Sequence, residues 1–297
     1  MIDKIFKTPR SAAMLSVASN AILVASKVTI GILSGSVAVL SEGIHSSLDL
    51  IAALIAFFSV SLSAKPEDEK HPYGHGKIES VSGAVEALLI VVAGALIIRE
   101  AIHKLHIGGE ISNSGINLGL IVMFISVLLN IFVSRVLFKV AKKFESQALE
   151  ADGHHLSTDV MTSFGVFIGL VLVRLTGKHW VDPVVAFGVA ALIMWIGAKV
   201  FFNSFFDLLD QKLPEEEEKK IRQLIEDHSS MFVEYHKMRT RRSGAMRYID
   251  LHLVVSGTQN LEEAHNLCDH LEKDISELFQ SANITIHVEP AKTAIVE

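Results

Sequence analysis

The sequence has little of what secreted, nucleic-acid-binding or zinc-finger proteins are built from. One cysteine, Cys268, stands alone among 297 residues, which excludes an internal disulfide and any cysteine-based zinc finger. Charge is scarce: Asp, Glu, Lys and Arg make up 20% of the chain, against 50% hydrophobic residues. No basic excess suggests nucleic acid as a partner, since the formal net charge is −6. No His-Glu-x-x-His occurs, so a zinc protease lacks its general base beside an open metal position. The opening MIDKIFKTPRSAAM shows no small-residue cleavage site after an apolar core, and the first apolar segment is expected to stay in the protein.

The charges that are present are unevenly spread. From Asp210 onward there are 17 acids and 11 bases, whereas the preceding residues carry 16 of each. A nearly neutral, apolar part, residues 1–206, is therefore expected to precede a soluble acidic domain, residues 207–297. A bilayer core about 30 Å thick needs about 20 apolar residues in a helix. Six runs qualify, roughly 12–33, 37–63, 79–103, 115–138, 146–175 and 181–204, and the fifth is weakest because its first third is polar. Runs such as ALLIVVAGALII are apolar all round, unlike the amphipathic helices of a soluble protein. Lys4, Lys7, Arg10, Lys65, Lys70, Lys77, Lys139, Lys142 and Lys143 gather on one side, which predicts cytoplasmic termini and a cytosolic tail.

Ionisable groups inside lipid are costly and mark pathways or sites. His45 and Asp49, four residues apart, share one helix face in span two, with Asp49 about 18 Å along it and near mid-membrane. His155 and Asp159 repeat the spacing in span five. The stretches EGIHSSLD (42–49) and DGHHLSTD (152–159) both read acid-Gly-x-His-x-Ser-x-Asp. Spans two and five run in opposite directions, as expected of inverted three-span halves. Two nitrogens and two carboxylates suit a tetrahedral Zn²⁺ site. The competing role for each pair is polar glue between helices. Glu42 and Asp152, one turn away, suit either an outer shell or a helix end. In the loop KPEDEKHPYGHGKIES, Asp68, His71 and His75 form an oxygen–nitrogen cluster in a chain bent by Pro72, Gly74 and Gly76. A solvated charged loop is the alternative there.

After Pro214 the pattern predicts helix, strand, strand, helix, strand. The run EEEEKKIRQLIEDH is helical, with four acids where the helix dipole favours negative charge. MRYIDLHLVV and NITIHVEP alternate, so Ile249, Leu251, Leu253, Ile284, Ile286 and Val288 face inward while His252, His287 and Glu289 project outward.

HPYGHGKIE, the paired His-x3-Asp motifs and DLLD (207–210) together resemble the cation diffusion facilitator family, over essentially the whole chain. The resemblance implies six transmembrane helices plus a cytosolic α-β-β-α-β domain of ferredoxin-like, metallochaperone-like fold. It implies a homodimer in the bacterial inner membrane that exports Zn²⁺ or a related divalent cation, generally in exchange for protons, and no enzyme. By it, His45, Asp49, His155 and Asp159 match the transport site, and Asp68, His71 and His75 a loop site. Lys77 and Asp207 match a charge interlock near the dimer seam. His236, His252, His265, His287 and Glu289 match a zinc site at the interface between cytosolic domains. Two positions depart from the pattern: many bacterial members carry Asp where His45 stands, and Glu289 replaces an expected Asp. A nitrogen in place of an oxygen favours Zn²⁺ over Mn²⁺, with Co²⁺, Cd²⁺ and Fe²⁺ still open. A zinc-gated channel or a zinc sensor could use the same residues. His228, His270 and Cys268 have no counterpart in the resemblance.

Overall fold

The computed structural model describes residues 6, 8–34, 37–107, 116–176, 180–279 and 281–291. Side chains at some helical positions, those of Glu42 and His45 among them, lie outside the described residues. The chain divides into two compact units, Met1–Phe205 and Phe206–Glu297.

The first unit is made of long helices: α1 (Pro9–Ser34), α2 (Val37–Ser63), α3 (Lys77–Ile107), α4 (Ile116–Phe144), α5 (Gln147–Thr176) and α6 (Val181–Leu208). Each covers one of the six apolar runs. Among the described residues, five of them, all but α5, contain a window long and apolar enough to cross a membrane. The exception is the run whose first third is polar.

The helix ends follow from local chemistry. Thr8 caps α1, its hydroxyl accepting from the Ser11 amide at 3.2 Å, and Pro9 follows at the first helical position. Glu145 and Asp210 adopt left-handed backbone (φ 54° and 57°) just past α4 and α6. In each case the next amide reaches back five residues to a helix carbonyl, Ser146 to Ala141 and Gln211 to Phe206, both at 3.1 Å.

Small residues let these helices approach closely. The shared interior uses Ala12, Ala13, Val133, Val136, Ala148 and Leu156, all fully buried. Phe58, Leu88, Phe132, Phe164 and Trp195 are exposed, as side chains facing lipid would be. Glu79 joins three elements at the start of α3. Its carboxylate accepts from Ser63 Oγ on α2 at 2.8 Å and from Ser146 Oγ, just before α5, at 2.6 Å. Charge-assisted bonds of this length hold the ends of α2, α3 and α5 together.

The second unit runs α7 (Glu215–Asp227), a 3₁₀ turn, β1 (Glu234–Ser243), β2 (Met246–Val255), α8 (Leu261–Glu277) and β3 (Ala282–Pro290). This is the predicted helix-strand-strand-helix-strand order. The sheet order is β1-β2-β3, with β1 antiparallel and β3 parallel to β2. Asn260 and Glu263 form a reciprocal capping box that starts α8. Ile221 and Ile225 of α7 and Leu267, Leu271 and Ile275 of α8 bury against Ile249, Leu251 and Leu253 of β2. The helices therefore cover one sheet face, and the alternate strand residues point away from them.

Two details depart from simple alternation. Tyr248, which precedes inward-facing Ile249 and so falls on the outer face of β2, is only 7% exposed because the Arg241 guanidinium lies 4.2 Å over its ring. The acidic run opening α7 is also more than a solvated face. Glu217 holds Arg247 through a forked pair, with the shorter contact at 2.6 Å, and Glu218 accepts from Thr240 Oγ1 at 2.8 Å.

Candidate metal centres

Four groups of His and acidic side chains bring ligand atoms within 4.8 Å of one another among the described residues. A useful yardstick is the spacing of ligands around a tetrahedral Zn²⁺. With bonds of about 2.0 Å, neighbouring donors stand about 3.3 Å apart.

The first group lies between α2 and α5 and joins Asp49, His155 and Asp159. His155 Nε2 stands 3.4 Å from Asp49 Oδ1, with both side chains only 9% exposed. His45 belongs to the same helix as Asp49, one turn earlier. Its side chain is outside the described residues, so three of the four predicted residues are brought together here and the fourth is placed by its backbone alone. A nitrogen and carboxylates enclosed this deeply must share a proton or a cation, since burying lone charges is costly.

The two repeats match beyond their His and Asp pairs. Ser47 Oγ donates to the Gly43 carbonyl at 3.0 Å, and Ser157 Oγ donates to the Gly153 carbonyl at 2.8 Å. Each glycine sits against the preceding helix. A Cβ on Gly43 would come 2.9 Å from Val28 Cγ2 and 3.1 Å from the Val28 backbone nitrogen on α1. A Cβ on Gly153 would come 3.0 Å from the Phe138 ring on α4. Both partners, like the glycines, are separated by 110 positions. The same offset relates buried Ser16 and Asn20 on α1 to buried Ser126 and Asn130 on α4. This longer Ser-Val-x-x-Asn repetition was available in the sequence as a second repeat in register with the first.

Other buried polar residues around this group escaped the sequence pattern. Lys27 on α1, 6% exposed, donates to Ser46 Oγ at 2.8 Å, beside the His45 position. Asp152 and Glu86 are both fully buried, and Glu86 accepts from Ser82 Oγ at 3.0 Å. Asp152 is thus an interior residue of the second turn of α5 rather than a solvated helix end. The signal for Lys27 and Glu86 was a lone charge inside an apolar run.

The loop group between α2 and α3 contains Asp68, His71 and His75. His71 Nδ1 is 3.0 Å and His75 Nε2 is 3.4 Å from the two Asp68 oxygens. Gly74, at φ 74°, supplies a left-handed residue between the histidines that a side chain would strain. The His71 amide, then the His71 ring and the Lys70 amide, hold the Asp68 carboxyl below its ordinary range, so it stays an anion.

The third group lies on the open face of the sheet. His236, His252 and His287 form one row across the strands, since His236 pairs with His252 and His252 with His287. Glu289 lies one step along the same face. It accepts from His252 Nδ1 at 2.7 Å and approaches His236 Nε2 at 3.4 Å, while His287 Nε2 stays 3.8 Å away. His236, His252 and Glu289 form the compact set, with the His287 ring 4.7 Å from that of His252. A register shift after His236, with Lys237 left-handed at φ 51°, bends β1 there and re-aims its side chains. The His252 hydrogen bond holds the Glu289 carboxyl below its ordinary range.

His265 is not part of this set within one chain. It sits exposed on α8, in the layer covering the other sheet face, with Asp269 as its acidic neighbour at 3.7 Å. Lys77 opens α3 and Asp207 stands in the last turn of α6, one in each unit. The fourth group, His228, His270 and Asp274, was not anticipated as a site.

The chain matches two family descriptions in sequence. Residues 13–209 match the cation efflux transmembrane domain, and residues 213–291 match the cation efflux protein cytoplasmic domain. It is 32% identical to an uncharacterized transporter of Synechocystis, over 95% of this chain and 90% of that protein. It is 31% identical to the cation-efflux pump FieF of Yersinia enterocolitica, over 97% and 94% of the two chains. Among solved structures, the Zn form of CzrB is 41% identical over 28% of this chain and 93% of that one, with a TM-score of 0.27. The metal-bound C-terminal domain of the CzcD transporter from Thermotoga maritima is 25% identical over 27% and 92%, with a TM-score of 0.25.

Proposed function

The chain belongs to the cation diffusion facilitator family, and from that premise we propose that it exports Zn²⁺ from the cytosol in exchange for protons by alternating access. It is an integral membrane cation efflux transporter with a dimer-forming cytoplasmic domain. The observation that carries the choice of ion is the meeting of Asp49, His155 and Asp159 between two long helices, all three within 4.8 Å and the His155–Asp49 pair at 3.4 Å, close to the spacing of neighbouring donors on a tetrahedral Zn²⁺. His45, one turn from Asp49, is the fourth ligand in this proposal. Oxygen-rich cages suited to Mg²⁺ or Ca²⁺ use no imidazole, so the nitrogen donors favour a borderline metal.

Zinc binds deprotonated ligands. Loading from the cytosol therefore displaces protons, and protons arriving from the opposite side release the ion. His45 and His155 are the natural proton carriers, because imidazole titrates nearest neutral pH. The helices need only expose this one gap to either side in turn.

The remaining roles follow the same family likeness. The loop group of Asp68, His71 and His75 binds a second zinc beside the bundle. The cytosolic domains pair as a homodimer, with the sheet-face group binding zinc at the seam. His265 is then supplied to that seam by a neighbouring copy, and Lys77 with Asp207 forms the charge interlock. The domain division at 206/207, a bacterial inner-membrane location and cytoplasmic termini complete the proposal.

The test is zinc flux into proteoliposomes holding an internal zinc dye, with and without a pH gradient, for the parent and Asp159→Ala. Saturable flux that depends on the gradient and disappears in the variant supports antiport through this gap. Unchanged flux in Asp159→Ala makes the His and Asp pairs helix glue and sends the pathway elsewhere.

A further inference from the structure

We infer that His228, His270 and Asp274 form a separate zinc-class site that staples helix α7 to helix α8 in the cytosolic unit. The three residues are far apart in sequence and converge only through the fold. His228 closes the C-terminal end of α7, and His270 and Asp274 are one turn apart on α8. His228 Nε2 lies 3.2 Å and His270 Nε2 lies 3.7 Å from the same oxygen, Asp274 Oδ2. The two rings stand 5.0 Å apart at 74°, edge to face, so their nitrogens converge on that oxygen rather than stacking away from it.

A backbone hydrogen bond orients the His228 ring. Its Nδ1 is 2.9 Å from the Leu224 carbonyl, which can only accept, so Nδ1 carries the hydrogen. In the neutral ring, Nε2 therefore presents a lone pair to a carboxylate oxygen 3.2 Å away. A proton on Nε2 or a bound metal ion satisfies that contact; the second imidazole, His270, aimed at the same oxygen at 3.7 Å, is what fits the metal. A ring nitrogen donating to a backbone carbonyl while the other faces a metal is also the usual way a histidine ligand is oriented.

The backbone holds the ring in place from both sides. The His228 amide donates to Ile225 O, and its carbonyl accepts from the Met231 amide, at 3.1 and 2.9 Å. The carbonyl end of α7 adds the negative pole of a helix at this point, which favours a cation further. His228 and Asp274 are mostly buried, while His270 is 49% exposed and can turn onto an arriving ion. Two imidazoles and one carboxylate select Zn²⁺ or a similar borderline ion over Mg²⁺ or Ca²⁺. Three protein donors leave a fourth position to water. The site is distinct from the sheet-face group, because α7 and α8 cover the opposite side of the sheet from His252 and Glu289. Its role is to tie the two helices together when cytosolic zinc is high.

Amide hydrogen exchange on the purified full-length protein, with and without added Zn²⁺, tests this directly and needs no transport. In the parent, zinc is expected to slow exchange about tenfold or more at the end of α7 and around 268–275 of α8. The slowing there should persist in His252→Ala and be lost in both His270→Ala and Asp274→Asn, while β2 and β3 still respond to zinc in those two. Asp274→Asn keeps the side chain's shape, so it decides the matter if His270→Ala disturbs folding. The inference is overturned if zinc leaves these helices unaffected in the parent. It is equally overturned if the slowing survives both α8 variants, or follows His252 instead. None of these outcomes bears on flux through the membrane gap.

Discussion

The membrane group and the sheet-face group offer the same kinds of donor at the same separation and differ almost wholly in surroundings. Asp49 and His155 are 3.4 Å apart with 9% of each side chain exposed; His236 and Glu289 are also 3.4 Å apart, with 34% exposed. Solvent decides what such a set can do. On an open sheet face, water competes for these side chains at all times, and in the proposed role their occupancy follows the surrounding zinc level. Between helices, water is largely kept away, so in the proposed exchange zinc and protons compete for the same enclosed groups.

The sharpest break of this comparison removes one ligand from each side. Asp159→Ala should lower zinc flux on the order of 100-fold or more while leaving zinc binding by the cytosolic unit unchanged. Glu289→Ala should do the reverse, loosening cytosolic zinc roughly 10-fold to 100-fold as read by dialysis, with flux at saturating zinc kept at the parent's level. Equal damage to both readouts from either variant would erase the division between an enclosed carrier and an open sensor face.

A smaller effect separates the two repeats within the membrane unit. Gly43→Ala presses a methyl group toward the Val28 backbone, which cannot turn aside, and should cost about 1–3 kcal/mol of thermal stability. Gly153→Ala meets only the Phe138 ring, which can rotate, and should cost less. Melting curves that rank the two the other way would refute the backbone argument.

The smallest effect uses Cys268 to watch the cytosolic unit alone. Burial first, then Glu272 and Asp269, push its thiol above the ordinary range. The thiolate is the reactive form, so labelling at pH 8 should stay slow in the folded chain, rising only at a pH above that of a free cysteine. Zinc should slow it further. Fast labelling across the ordinary thiol range would mean that α8 opens readily.

Much of this was legible because it is periodic. Six apolar runs of spanning length gave six long helices, and period-two alternation in β2 and β3 gave the strands and their inner face. The His-x3-Asp pairs announced a shared face because four residues make one helical turn. What escaped was of two kinds. Lys27, Glu86 and the Ser-Val-x-x-Asn repetition were visible as charges or spacings out of place, but each gains meaning only beside a neighbouring helix. The meeting of His228 with His270 and Asp274 depends on how α7 lies across α8, and no local spacing encodes that. The grouping of His236, His252 and Glu289 apart from His265 likewise follows from which sheet face the helices cover.

The two aspartates at the α2–α5 gap also bear on how the proposed exchange would respond to voltage. An ion of charge two cancels them, and so do two protons, on whichever of the ligands those protons sit. In the proposed exchange, a gap holding Zn²⁺ and a gap holding two protons are equally neutral. A gap with one carboxylate would move a net charge on one of those journeys, at about 2.3 kcal/mol per 100 mV of membrane potential. Under the proposed mechanism, pairing the carboxylates removes that brake and leaves the zinc and proton gradients to set the direction.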